Sequence, residues 1–220
     1  MRILLFLGLL VFLLIGCTPS EPTEPTQRVS LGDEQAHYTF DDANTPWDVF
    51  SLNGDQAIFR VLDGVLQGAV IANHGYIWSL NHTRYNDVAI SATVRQTKGA
   101  RGNGFGVMCR ADEQGDGYYF VVSSAGQFAI LKAQPNVSDP ARLVDWRSNP
   151  AIFQQNESNQ IKAICVGDYL SFSANGHFLA EVHDAEFSSG ELGVVLGAID
   201  ETLWVNFDDI IVNNVALVGG

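Results

Sequence analysis

Cationic side chains are scarce in this sequence. Twelve Lys and Arg stand against 25 Asp and Glu in 220 residues, a formal net charge of −13. No basic run occurs anywhere, so nucleic acid phosphates and anionic lipid headgroups are not expected as partners. Long apolar runs are also missing beyond the first fifteen residues, and nothing later approaches the roughly 20 residues that a membrane helix requires. No window of eleven or more residues carries a convincing helical stripe. Cysteine is limited to three positions, 17, 109 and 165, and neither of the last two has a second Cys or a His at zinc-ligand spacing. The Gly-x-Ser-x-Gly setting of a nucleophilic serine is absent too.

The N-terminus is the clearest signal. One early charge, Arg2, precedes an uncharged apolar run from Ile3 to Ile15, which ends Leu14-Ile15-Gly16-Cys17. A short apolar segment with a small residue before a possible cut describes an export signal. The ending resembles a bacterial lipobox, which implies that residues 1–16 are a signal peptide and that Cys17 is acylated as the new N-terminus. Its removal takes one arginine and no acid, leaving a net charge of −14. Residues 17–33 are then expected to be a lipidated Cys and a tether, because Pro19, Pro22 and Pro25 alternate with Glu, Thr and Ser in a stretch that buries little. Residues 34–217 remain as one domain, extracytoplasmic and held to a membrane only through the lipid.

Within the domain the apolar residues alternate. Val88, Ile90, Ala92 and Val94 take one face of a strand and Ser91, Thr93 and Arg95 the other. Turn dipeptides such as Asp63-Gly64 and Asn175-Gly176 separate similar stretches, and they tolerate the positive φ of two-residue hairpins. Phe105–Ala133 and Gln160–His183 each read as a three-strand meander. The fold class predicted is all-β, a jelly-roll sandwich of two antiparallel sheets. Cys109 and Cys165 both fall mid-strand, and an even count in an oxidising compartment points to a bridge, the alternative being two buried free thiols.

The order of pieces carries a resemblance over nearly the whole domain. It runs from Phe40-Asp41-Asp42 and Trp47 through Asp63-Gly64-Val65-Leu66, Gly104-Phe105-Gly106-Val107-Met108-Cys109-Arg110 and Gly117-Tyr118-Tyr119-Phe120. It closes with Trp146, Asn175-Gly176, Ser189-Gly190-Glu191-Leu192-Gly193 and Phe207-Asp208-Asp209-Ile210. This resembles the concanavalin A-like lectin/glucanase superfold and is similar to the bacterial group related to 3-keto-disaccharide hydrolases. The resemblance implies either glycan recognition or glycoside processing. The Glu-x-Asp-x-x-Glu run of the β-glucanases is absent, and no His or carboxylate stands beside Arg110 in its motif, so catalysis is not expected.

Non-catalytic carbohydrate binding is therefore the expected function, with a glycan as partner and a monomeric chain. A protein-interaction or structural role in the envelope is the alternative outside carbohydrate chemistry. Aromatic rings can stack on the C–H faces of sugars while planar polar groups hydrogen-bond the hydroxyls. The candidates are Tyr76, Trp78, Arg110, Tyr119 and Trp146. Arg110 alternates with Cys109 and is expected on the face away from the core. For each ring the competing reading is ordinary core, and for Arg110 a salt bridge or a loop-capping hydrogen bond. Asp41, Asp42, Asp208 and Asp209 form two acidic pairs that neighbouring first and last strands would bring together, as a structural Ca2+ site would need.

Overall fold

The computed structural model describes residues 24–42 and 44–219, and among them there is no helix. Fifteen strands run in chain order as β1 (Val29–Tyr38), β2 (Phe50–Leu52), β3 (Ala57–Leu62), β4 (Val65–Val70), β5 (Gly75–Tyr85), β6 (Val88–Lys98), β7 (Gly104–Ala111) and β8 (Gly117–Ser123). They continue as β9 (Gln127–Ala133), β10 (Ala141–Ser148), β11 (Asn159–Val166), β12 (Tyr169–Ala174), β13 (His177–His183), β14 (Gly190–Ala198) and β15 (Leu203–Leu217). One sheet has nine strands, β13-β12-β11-β6-β15-β4-β3-β2, with β1 also paired to β15; the other has six, β10-β9-β8-β7-β14-β5. All pairings are antiparallel. The predicted jelly-roll sandwich is present, including the meanders β7-β8-β9 and β11-β12-β13.

Local chemistry fixes the hairpins. Asp63 and Gly64 both take positive φ, 52° and 75°, as do Asn175 and Gly176 at 51° and 81°. That pairing is the type I′ turn whose twist matches the flanking strands. The inward faces of the two sheets then meet in one apolar core containing Phe59, Ile90, Phe105, Phe120, Phe128, Phe172, Leu196 and Phe207. Cys109 of β7 is bonded to Cys165 of β11, which ties the six-stranded sheet to the nine-stranded one through that core.

Two boundaries differ from expectation. β1 begins at Val29, inside the stretch assigned to the tether, because β15 runs on to Leu217 and pairs with it from Val29 onward. β10 was not legible as a strand: two register shifts against β9 break its alternation.

Candidate functional site

In a sandwich one face of each sheet meets the core and the other commonly meets water. The outer face of the six-stranded sheet departs from that pattern. Leu80, Met108, Val121, Ala129, Leu131 and Val195 all lie there, buried beneath the half-buried rings of Tyr76, Trp78 and Trp146. Strand β5 sends Ile77 inward, so Tyr76 and Trp78 on either side of it point outward.

Tyr76 is register-paired with Gly197 of β14, and Gly197 is paired in turn with Gly104 of β7. The rings use both glycines. A β-carbon on Gly197 would lie 2.8 Å from the Tyr76 ring, and one on Gly104 would lie 3.1 Å from the Trp146 ring. Tyr76 comes from one edge strand of the sheet and Trp146 from the other, β5 and β10. In a flat sheet five strand spacings would separate those edges by roughly 24 Å. Both rings nonetheless line one cavity of about 630 Å³, so the face is concave. Gly104, Gly197 and Leu131 contribute to its lining, and Asn73, Gln127, Asp139 and Arg142 contribute polar groups.

Electrostatically the cavity is mixed. Burial pushes the Tyr76 hydroxyl to a higher pKa, the Arg142 guanidinium opposes that rise and Asp139 adds to it. Arg142 is itself exposed and holds Asp145 at 3.0 Å.

The five predicted ligand-binding residues fall into three places. Tyr76 and Trp146 are brought together in the cavity. Tyr119 is buried beneath it: its ring meets Tyr76 edge-on at 5.6 Å, and its hydroxyl donates to the Gly115 carbonyl at 2.5 Å. Trp78 packs over Gly115, farther along the same face, and does not line the cavity. Tyr119 and Trp78 thus support the site from below and beside it.

Arg110 is not on this face, contrary to the alternation. Between two shared register pairs β14 advances from Glu191 to Gly193 while β7 runs from Met108 to Ala111, so β7 carries one extra residue. Arg110 takes it up at φ 54°. This bulge turns its side chain away from the ring-bearing surface, and only 2% of the residue is exposed. Its guanidinium donates to the carbonyls of Asn86 at 3.1 Å, Gly167 at 2.7 Å and Phe187 at 2.9 Å, with Asp87 at 3.4 Å. The loop-capping alternative describes it.

The acidic pairs lie where the first and last strands meet, close enough for the Asp41 charge to act on Asp208. The first and last strands are neighbours, with Tyr38 opposite Ile210. Even so, each acid is occupied within its own segment or by one neighbour. Asp41 accepts from Thr39, Asp42 from the Asn44 amide and Asp208 from the Asp209 amide, while Asp209 lies 3.4 Å from His37. Among the described residues no three His, Cys, Asp or Glu side chains form a group that could hold a metal ion.

A separate cluster lies on the β5–β14 side. His82 Nε2 is 2.7 Å from Asp48, and its Nδ1 is 3.4 Å from Glu191. The Asp48 hydrogen bond raises the His82 pKa above its ordinary value, and the charges of Asp48, Glu191 and Glu113 reinforce that rise.

Sequence reasoning missed Asn73, Gln127, Asp139 and Arg142, which carry no motif. Gly104 and Gly197 did give a signal, since a glycine inside a strand pattern marks a close approach. Cys17 and the apolar run before it lie outside the described residues.

No protein-family model matches the chain, and no curated protein matches it in sequence. Solved structures do match in fold. The carbohydrate-binding module CBM66 from Bacillus subtilis aligns with a TM-score of 0.62 at 18% identity, over 77% of this chain and 96% of that one. A Bacillus subtilis protein of unknown function with a galectin-like fold gives 0.63 at 10% identity, over 86% and 99%. A putative glycosyl hydrolase from Parabacteroides distasonis gives 0.51 at 13% identity, over 76% and 98%. These likenesses establish a lectin/glucanase-like fold.

Proposed function

We propose that this chain is a non-catalytic carbohydrate-recognition module, lipid-anchored through Cys17 outside the cytoplasm. One observation carries the glycan reading: the Tyr76 and Trp146 rings stand over the register-paired glycines Gly197 and Gly104 at the bottom of a concave, open face. Glycine there removes the side chains that would lift the rings, leaving a slot in which a sugar ring can stack while Asn73, Gln127, Asp139 and Arg142 meet its hydroxyls. A carbohydrate-binding module among the fold neighbours supports the same reading.

Hydrolysis is less well supported. A glycosidase of the usual kind needs two carboxylates flanking the scissile bond. Among the described residues lining the cavity, Asp139 is the single carboxylate. The likeness to 3-keto-disaccharide hydrolases therefore bears on the sandwich rather than on an acid/base pair.

A soluble chain beginning at Thr18, screened on a broad glycan array, tests this reading. Binding is expected to at least one glycan class. Tyr76→Ala and Trp146→Ala are each expected to weaken it about tenfold, the equivalent of ~1.4 kcal/mol of lost stacking. Silence across the array, or binding indifferent to both substitutions, would remove the recognition reading.

A further inference from the structure

The outer face of the nine-stranded sheet carries both ends of the described chain. Val29 of β1 and Val215 of β15 pack there against Ala89, Ile164, Val166 and Tyr169. Val218 donates its amide to the Arg28 carbonyl at 2.8 Å. Ahead of β1, residues 24–28 do not leave the surface. The Thr26 amide donates to Glu181 Oε2 at 2.9 Å, and the Thr26 hydroxyl donates to Oε1 of the same carboxylate. On β13 and β12, Glu181 and its partner Ser171 alternate with the core residues Ala180 and Phe172 and so face outward. The Tyr169 hydroxyl donates to Glu181 as well, at 2.7 Å. Burial pushes the Glu181 carboxyl up, yet the hydrogen bonds from Thr26 and Tyr169 outweigh it and hold its pKa below the ordinary range.

We infer that residues 24–28 form a strap that fixes the module on its anchor, with the nine-stranded sheet toward the membrane and the Tyr76–Trp146 cleft away from it. The inference rests on the lipid-anchor reading of Cys17. Two facts give it geometric force. The six residues 18–23 between Cys17 and Glu24 allow at most about 25 Å between those two Cα atoms. The strap lies on the outer face of one sheet and the cleft on the outer face of the other, so the two are on opposite sides of the sandwich. A tether attached there presents the cleft to glycans arriving from outside, rather than to headgroups of the bilayer that holds it.

The experiment uses the processed, lipidated full chain in vesicles of phosphatidylethanolamine and phosphatidylglycerol that carry a headgroup acceptor dye. A donor is attached at Lys162→Cys, outward on β11, or at Val137→Cys, exposed beside the cleft. Stronger energy transfer is expected from position 162 than from position 137. Thr26→Pro removes both donors to Glu181 and leaves the Tyr169 bond, and it is expected to abolish that difference. Equal transfer from the two positions in a chain that floats with the vesicles, or a difference unchanged by Thr26→Pro, overturns the strap and leaves the anchor standing. A chain that does not float, and that behaves identically as Cys17→Ala, overturns the anchor and with it the orientation.

Discussion

The guanidinium of Arg110 satisfies three backbone carbonyls that belong to three separate connections, at Asn86, Gly167 and Phe187. Removing it would leave those three acceptors without their donor, and each hydrogen bond to a charged donor is worth about 1.5–3 kcal/mol. Arg110→Ala is accordingly expected to destabilise the fold by about 3 kcal/mol or more in urea unfolding. The folded fraction should bind glycan as before, since Arg110 is remote from the cavity; selective loss of binding at unchanged stability would return Arg110 to the site. His82 makes a second residue-level test. Its pKa is raised from 6.5 through Asp48 and the neighbouring acids. A raised His contributes stability in full below the ordinary value and loses it as pH climbs through the folded one. NMR titration should give a His82 pKa above 6.5, and Asp48→Asn should lower it; a pKa unmoved by that change would dismiss the pair. At this scale the rings of Tyr76 and Trp146 were legible as candidates because sugar stacking needs exposed aromatics. Arg110 was not, because one extra residue in β7 defeats alternation without leaving a mark in composition.

Strands β7 and β14 contribute to the cleft by what they omit. Neither Gly104 nor Gly197 adopts a positive φ, so alanine suits both backbones and the obstacle is the ring above. Gly197→Ala would push a methyl to 2.8 Å from the Tyr76 ring, and Gly104→Ala would bring one to 3.1 Å from Trp146. Each is expected to weaken glycan binding several-fold, with the larger effect at Gly197, while the urea midpoint moves little. The reverse pattern, unaltered binding with reduced stability, would mean that the glycines serve packing alone. Most strands were readable from period-two alternation, and the hairpins from Asp-Gly and Asn-Gly. β1 was not, because seven of its ten residues are exposed and its start reads as tether. Nor was β10, whose register shifts scramble the pattern. That second omission mattered: β10 delivers Trp146 and Arg142, so their convergence with Tyr76 from the opposite edge came only with the curvature of the sheet.

At the scale of the whole molecule, a disulfide between Cys109 and Cys165 cross-links the two sheets, its partners 56 residues apart in sequence and fully buried. Even cysteine count and export context made this bridge legible, while its placement between the sheets came only with the strand order. Closing a loop of that length restricts the unfolded chain by ~4 kcal/mol in the chain-entropy model. The paired change Cys109→Ala, Cys165→Ala is expected to cost roughly that much in urea unfolding, with a further contribution where the smaller side chains leave the core underfilled. Glycan binding should nevertheless survive in the folded fraction. The cleft is assembled on the outer face of the six-stranded sheet from β5, β7, β9, β10 and β14 with the loops beside them, and the bridge lies on the inner face. Unchanged stability on removing the bridge would mean that the apolar core alone sets the spacing of the sheets. Lost binding in a variant that still unfolds cooperatively would mean that the curvature bringing Trp146 over Gly104 depends on the link to the nine-stranded sheet, so that the site belongs to the sandwich rather than to one of its layers.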